Sequence, residues 1–554
     1  MCVCEREREN KNNEQLYPLH NFHYINIVVC TTINSMAKPA TTTNSGEIYQ
    51  LSDQERNFDF KATGCVSNTL DEAFERYNGI IFRRNNMLQK ARNQKVINSK
   101  IVLDEDSIIN GVDVNVLSND LSLTLETDQA YTLSIESPRV QISAQTVYGA
   151  MYGLETFSQL ISREGFVNGT KITDKPRFQF RSSMIDTARH WLPLETIFAH
   201  LDAMAYNKMN VLHWHIVDSQ SFPYCSYTFP TLCEEGAYTQ THLYHREDVQ
   251  QVIDYATNRG IRVIPEFDTP GHVQQGLLTI KNLLTPCYDT KTGKPDGTTG
   301  PLNPTLDSTY NFLTQFYAEI KDVFPDKFVH VGGDEVSFAC WQSNPEITKF
   351  MKAHPNITTY AELESYYEVQ LLEILKKQNT SYIIWQEIFD NGVDILPDTV
   401  VDVWKGGGWE AEMGRVTSAG FHSVLSAPFY LNYISYGLDW TTYYSVEPTN
   451  FTCPTDGPCD KSLVGGVEQC MWAEFVDATN FLPRVWPRAS AVAERGWSQE
   501  NVRDLVEAQV RIQEFRCKLI ERGIPAEPIA NGGSGGTFSY CDQEWQPTYR
   551  TPWN

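Results

Sequence analysis

The sequence predicts an α/β protein, a (β/α)8 TIM barrel preceded by a small α+β domain. Three observations carry this. After Lys175-Pro176, short apolar strands alternate with helical patterns in eight successive units. Before that joint, strands and helices mix without regular alternation. No Gly-rich phosphate loop follows the first strand of the alternating region, as a doubly wound sheet would usually show. The doubly wound sheet is the alternative.

Residues 1–45 are polar, rich in Asn and Thr and unpatterned, and read as a disordered leader or a segment outside the mature protein. Residues 46–175 form the expected N-terminal α+β domain, with helical spacing over 70–82, alternation typical of a half-buried strand over 121–135, and an amphipathic helix over 146–161. The barrel is expected over 176–500. Its strands fall at 184–187, 210–217, 261–267, 328–331, 381–385, 399–404, 421–426 and 463–472. Helices are expected at 193–206, 247–258, 310–323, 361–377 and 479–494. The 247–258 helix has acidic residues in its first turn and Gly260 past its end, which satisfies the helix dipole and cap. Residues 501–554 read as a C-terminal helix and tail packing on the barrel. There are no internal repeats.

Composition narrows the function classes. Of 554 residues, 41% are hydrophobic and 12% aromatic, enough for a large core. Mean hydropathy is −0.38, and no apolar run reaches the ~20 residues of a membrane span. The formal charge of −24 repels phosphate backbones, so neither nucleic acid nor anionic membrane is an expected partner. Among 13 cysteines, Cys225 with Cys233 and Cys453 with Cys459 bracket short loops and read as disulfides. Cys517 and Cys541 are placed to staple the C-terminal tail, and buried free thiols are the alternative for each pair. Sequons stand at Asn168, Asn356, Asn379 and Asn450. Together these features favour a lysosomal or secreted protein. The N-terminus MCVCEREREN is charged and is not a signal peptide, so the true start is elsewhere or the protein is not exported.

Barrel chemistry collects where strands end and loops begin. Those positions hold Asp186, Arg189, Asp218, Glu266, Asp268, His272, Asp334, Glu335, Trp385, Glu387, Trp404, Tyr430, Trp472 and Glu474. The set is carboxylates and aromatics. The sharpest part is His330-Val-Gly-Gly-Asp334-Glu335. Two adjacent carboxyls in a partly dry pocket cannot both ionise freely, so one is raised and can act as a general acid. Ordinary helix N-capping is the rival explanation. Trp385, Trp404 and Trp472 end three different strands, and three indoles at one mouth make an apolar box suited to sugar C–H faces. His213-Trp-His215, with Asp218, His272 and Asp334, is the rival zinc set. The two histidines sit mid-strand among apolar neighbours, and structural histidines are the favoured reading. No metal and no cofactor is expected.

Eight segments carry a resemblance: FRSSMIDTARHWLP, NVLHWHIVDSQSFP, RVIPEFDTPGH, LLTPCYD, FVHVGGDEVSFACWQSNPEI, IIWQEIFDNG, APFYLNYISYGLDW and WAEFVDATNFLPRVWPRASAVAERGWS. The chain resembles the β-N-acetylhexosaminidases of glycoside hydrolase family 20 from about Phe58 to Cys541. The resemblance implies exo-acting, retaining hydrolysis assisted by the substrate's own 2-acetamido group, an exception to the two-carboxylate scheme. It implies that Glu335 is the acid and base, and that Asp334 orients the acetamido group. Tyr430 would donate to the acetamido carbonyl, while Trp385, Trp404 and Trp472 enclose the sugar. Arg181 and Glu474 would grip the O3 and O4 hydroxyls. Asp218 and His272 would stand behind the acid. It also implies a Cys287–Cys340 disulfide and supports Cys517–Cys541. It leaves Cys65 without its family partner and Cys470 as a buried thiol.

Two departures bear on substrate. Ser219 stands where many relatives carry a second aspartate after the HxVD run, and Tyr433 rather than arginine follows Asn432. Neutral GlcNAc and GalNAc β-glycosides are therefore the expected substrates. N-acetylhexosamine-terminated glycans are the expected partners, with a homodimer as the expected assembly.

Overall fold

The computed structural model describes residues 35–52, 57–92, 105–162, 164–435, 438–455, 457–530 and 541. Eight parallel strands close a barrel: Phe180–Asp186, Val211–His215, Arg262–Glu266, Phe328–His330, Ser381–Trp385, Val400–Val403, His422–Leu425 and Val464–Met471, the last pairing with the first. The sequence expectation of a barrel holds, and the doubly wound alternative falls. Almost every barrel-strand residue is buried, which is why these segments read as apolar runs rather than as alternating patterns. Register aligns Asp186 with His215, His215 with Glu266, and Glu266 with His330. One layer near the C-terminal strand ends is thus made of charged and imidazole groups.

A seven-stranded mixed sheet precedes the barrel, with helix Val147–Leu160 packed on three of its strands. Thr146 caps that helix by accepting the Gly149 N–H. Helix Asn68–Arg92 begins and ends outside the expected 70–82. Three other expectations change. The leader boundary moves, because strand Thr41–Leu51 pairs antiparallel with Phe166–Asp174 and Met36 is buried. The strand looks unpatterned because residues 41–48 are exposed on both faces; the rest of the 1–45 expectation lies outside the described residues. The 121–135 strand shrinks to Tyr131–Ile135, since Thr127 Oγ1 accepts from the Thr124 amide and donates to the Ser122 carbonyl, closing a turn. The 479–494 helix divides into Phe481–Val485 and Arg488–Trp497, because Pro487 has no N–H for a continuous helix. An antiparallel pair not foreseen, Leu284–Tyr288 with Pro295–Leu302, leaves the barrel after the third strand.

The two domains share a charged seam at the barrel's N-terminal end. Arg181 is fully buried there and donates to the carbonyls of Lys208 and Phe178, to Gln129 Oε1 at 2.5 Å and to the Tyr152 hydroxyl. Lys208 Nζ lies 3.2 Å from Asp174 Oδ2, which also accepts from Trp497 Nε1 at 3.0 Å. Helix Leu505–Glu521 adds Lys518 and the adjoining Arg522, which bind the Gln159 carbonyl and Glu155.

Helix Tyr360–Lys377 turns Glu364 and Glu368 inward. Burial, reinforced by Glu387, raises Glu364 to about 7. Burial likewise pushes Glu368 well above the usual range. A carboxyl whose folded pKa lies above its unfolded value costs stability as pH climbs between the two. For Glu364 that window runs from 4.5 to about 7 and is worth roughly 3 kcal/mol. Above 6.5, His213 and His215, both raised to about 10, add a loss of the same sign. Thermal melts are expected to show a lower midpoint at pH 7.5 than at pH 4.5. Glu364→Gln should flatten that dependence, and an unchanged slope in the variant would contradict the assignment.

Candidate active site

The fourth barrel strand ends at His330, and the chain then turns through Gly332 and Gly333 at φ 69° and 94°. A Cβ on Gly332 would stand 1.9 Å from Asp268 Oδ1, and one on Gly333 would stand 2.3 Å from Ile388 Cδ1. Only glycine permits that approach. Asp268 Oδ1 accepts the Gly333 N–H at 2.8 Å and so fixes the turn. The turn delivers Asp334 and Glu335 into different environments. Asp334 is 8% exposed, and its Oδ1 is buried with no hydrogen-bond partner. The Glu335 side chain is 63% exposed, on a backbone at φ 52°. His272 Nε2 stands 3.9 Å from a carboxyl oxygen of each. The carboxyl that burial, Asp334 and Glu266 push well above its usual range is Asp268. The sequence expectation of a raised carboxyl named only the adjacent pair and did not foresee Asp268.

A chain of ion pairs runs behind the two carboxyls. His272 Nδ1 meets Asp218 Oδ1 at 3.1 Å, and Asp218 Oδ2 meets His215 Nε2 at 2.9 Å. His215 Nδ1 meets Glu266 Oε2 at 2.6 Å. Burial opposes charge on His215, but Glu266 and Asp218 raise it to about 10. Burial would raise Asp218, yet His215, His272 and Arg189 hold it well below the carboxylate range. Arg189 pairs with Asp186 at 3.0 Å and with Asp218 at 2.7 Å, and its guanidinium lies 4.9 Å from the Trp472 ring centre. Asp186 Oδ2 also accepts the Ala473 N–H, tying the first strand end to the loop that carries Glu474.

Three indoles and two phenol rings come together at the barrel mouth. Ring centres of Trp385 lie 6.5 Å from Trp404 and 6.1 Å from Trp472. Trp404 stacks on Tyr430 at 6.2 Å, and Tyr430 stacks on Tyr433 at 5.8 Å. Trp385 is fully buried and forms the floor, while Trp404 and Trp472 are half-buried walls. Burial places the Tyr430 hydroxyl well above its usual pKa, so it remains a donor. Glu474 is exposed at the rim, close enough to raise the Arg189 pKa.

Arg181 is the correction. It sits at the opposite end of its strand from the pocket, with its guanidinium committed to carbonyls and the N-terminal domain. Arg189 is the arginine beside Glu474. The strand-end positions include Arg189, whereas the resemblance names Arg181, which the structure places away from the pocket. Of the rival zinc set, His272 and Asp334 stand with Asp268, their ligand atoms within 4.8 Å of one another. His213 is held by Glu468 and Glu266 and His215 by Glu266 and Asp218, and these carboxylates raise both imidazoles to about 10 against the effect of burial. His330 contributes a group with His213 and Glu266 within 4.8 Å, but its Nδ1 accepts the Gly332 N–H. Sequence reasoning gave no roles to Asp268, Glu266 or Glu387, although each lay at a strand end.

All four expected disulfides are present: Cys225–Cys233, Cys287–Cys340, Cys453–Cys459 and Cys517–Cys541. Cys65 and Cys470 are free and buried. Asn356, Asn379 and Asn450 are exposed, while Asn168 is half-buried within a strand. Among the described residues no helix is long and apolar enough to cross a membrane.

Residues 178–500 match the family model for the glycosyl hydrolase family 20 catalytic domain, and residues 25–160 match a model described as beta-acetyl hexosaminidase like. The chain is 49% identical over 488 residues to the beta-hexosaminidase subunit beta of Felis catus, covering 87% of this chain and 88% of the relative. It is 46% identical over 495 residues to the subunit alpha of Rattus norvegicus, covering 88% and 89%. Among solved structures, the chitobiase of Flavobacterium johnsoniae aligns with a TM-score of 0.74 at 28% identity, over 89% of this chain and 73% of that one.

Removing the Arg181 guanidinium leaves several buried acceptors unsatisfied, so Arg181→Met is expected to cost about 3 kcal/mol or more of unfolding free energy. Denaturant titration measures this. The folded variant should keep the wild-type tryptophan emission of the pocket; a pocket spectrum that changes while stability does not would return Arg181 to the site.

Proposed function

The chain belongs to glycosyl hydrolase family 20, and from that membership we propose that it removes terminal non-reducing β-linked N-acetyl-D-hexosamine residues, GlcNAc or GalNAc, from glycoconjugates and oligosaccharides. It is a glycosidase of the β-hexosaminidase type. The observation that carries the mechanism is the contrast within the adjacent pair: Asp334 buried with an oxygen left without a donor, Glu335 open to the cleft.

In the proposed reaction the acetamido carbonyl oxygen attacks the anomeric carbon as the glycosidic C–O bond breaks. Glu335 gives its proton to the departing oxygen. Asp334 accepts the acetamido N–H and balances the positive charge that develops on that group, and Tyr430 donates to its carbonyl oxygen. The product of this step is an oxazolinium ion. Water then attacks the anomeric carbon from the vacated face. Glu335 takes the water proton, the ring opens, and configuration is retained. The pocket tryptophans exclude water and hold the acetamido methyl, so that the nucleophile is aligned before the bond breaks. Arg189, orienting through Asp186 and Asp218, grips the far hydroxyls with Glu474.

Tyr433 continues the aromatic wall where a cation would meet an anionic substituent. Arg484 reaches the same loop but donates to the Tyr433 carbonyl at 3.1 Å. This supports neutral substrates. We also propose a lysosomal or secreted protein, glycosylated at its exposed sequons. Tyr433, Ile434 and Phe475, 64%, 74% and 78% exposed, support a homodimer formed near the rim.

Glu335→Gln is expected to lose about 10²–10⁴-fold in turnover on N-acetylglucosaminides with poor leaving groups, and much less on activated aryl glycosides. Wild-type rates in both Glu335→Gln and Asp334→Asn would end this mechanism. A 6-sulfated substrate should be cleaved far less efficiently than its neutral counterpart; equal kcat/KM for the two would refute the substrate assignment.

A further inference from the structure

We infer that Glu387 is a positioning residue for the hydrolysis, which fixes the orientation of the Trp404 wall by accepting the indole N–H. This rests on the N-acetylhexosaminidase reading of the pocket. Glu387 is the second residue of the short helix Gln386–Asp390, two residues past the fifth strand end and the Trp385 floor. Its Oε2 accepts Trp404 Nε1–H at 2.7 Å, a charge-assisted hydrogen bond. Its Oε1 lies 3.3 Å from Lys405 Nζ. Lys405 in turn reaches Asp390 at 3.3 Å, and Asp390 pairs with Arg415 at 2.8 Å. The carboxylate is therefore held by a network of its own and can hold the indole.

The same arrangement recurs on the floor, where Trp385 Nε1–H donates to Glu266 Oε1 at 2.7 Å and Glu266 is fixed by His215. Two indoles of the box thus have their rotation about Cβ–Cγ set by carboxylates outside the cavity. For Trp404 this matters beyond its own surface. It stacks on Tyr430 with an interplanar angle of 25°, so a tilt of the indole is passed to the hydroxyl that would meet the acetamido carbonyl. Reactions that depend on an aligned internal nucleophile are sensitive to displacements of this kind.

The experiment compares Glu387→Gln, Glu387→Met and Trp404→Phe, with the double variant Glu387→Met/Trp404→Phe, on a neutral aryl β-N-acetylglucosaminide. Glutamine retains an acceptor oxygen at the same reach, methionine keeps the bulk without it, and phenylalanine keeps an aromatic ring without the donor. Glu387→Gln should stay within about threefold of wild-type kcat/KM. Glu387→Met and Trp404→Phe should each lose about tenfold or more, with kcat carrying most of the loss. The double variant should fall no lower than the worse single variant, because both remove one bond. Wild-type kcat/KM in Glu387→Met, or losses that multiply in the double variant, would overturn the inference. Should Glu387→Met fail to fold, Trp404→Phe decides: wild-type kcat/KM there overturns it. A wild-type enzyme inert on the substrate would instead overturn the underlying functional reading, and this inference with it.

Discussion

The Glu266 carboxylate lies at zero exposure against His215, His213 and His330, and the barrel's mouth is organised around keeping that charge matched. An ionised group this deep is tolerable only when it is paired and fully hydrogen-bonded. His213 and His215 carry the compensating charges. His213 passes its second nitrogen to Glu468, and His215 passes its second nitrogen to Asp218. Asp218 finds a further cation in Arg189. Burial and like charges push two further carboxyls the other way: Asp402, beside Glu468, and Asp268, beside Asp334, both rise well above the carboxylate range. His330, lowered by burial, stays neutral. The result is a core whose charges alternate in sign along a connected path from the barrel interior to His272.

This alternation explains why the mouth can be both polar and rigid. Most links join groups from different strands or their loops, as His213 with Glu468 and His215 with Glu266 do, so a shift of one residue breaks a pair with another. The Gly332–Gly333 turn adds a steric constraint. The backbone passes so close to Asp268 and Ile388 that its path is determined by contact on both sides. Asp334 and Glu335 thus hang from a backbone with little freedom, while the Glu335 side chain projects into open space.

The barrel was legible because its strands are short, buried and separated by helices with clear periodicity. The carboxylates and tryptophans were legible because barrels place chemistry at strand ends, and Asp334, Glu335, Trp385, Trp404 and Trp472 occur there. Other features were hidden for physical reasons. Thr41–Leu51 faces water on both sides along most of its length, so no hydrophobic pattern marks it as a strand. Arg181 and Arg189 lie in one segment, eight residues apart at opposite ends of one strand. That position separates them, while the partners that hold Arg181, Gln129 and Tyr152, come from another domain and are not local in sequence. The burial of Asp268 beside Asp334 depends on a turn from another strand, and pairing across a barrel cannot be read from neighbours in sequence.

The seam at the closed end of the barrel has a consequence for how the chain can be divided. Asp174 belongs to the N-terminal sheet, yet it takes a charge from Lys208 and a hydrogen bond from Trp497, both on barrel elements far apart in the chain. Arg181 reaches back to Gln129 and Tyr152. Parting the halves at Lys175 would separate Lys208 and Arg181 on one side from Asp174, Gln129 and Tyr152 on the other. The Lys175-Pro176 joint is a boundary between architectures that buried polar contacts cross. Evolutionary or engineered exchange of either half would have to carry the matching side of the seam with it.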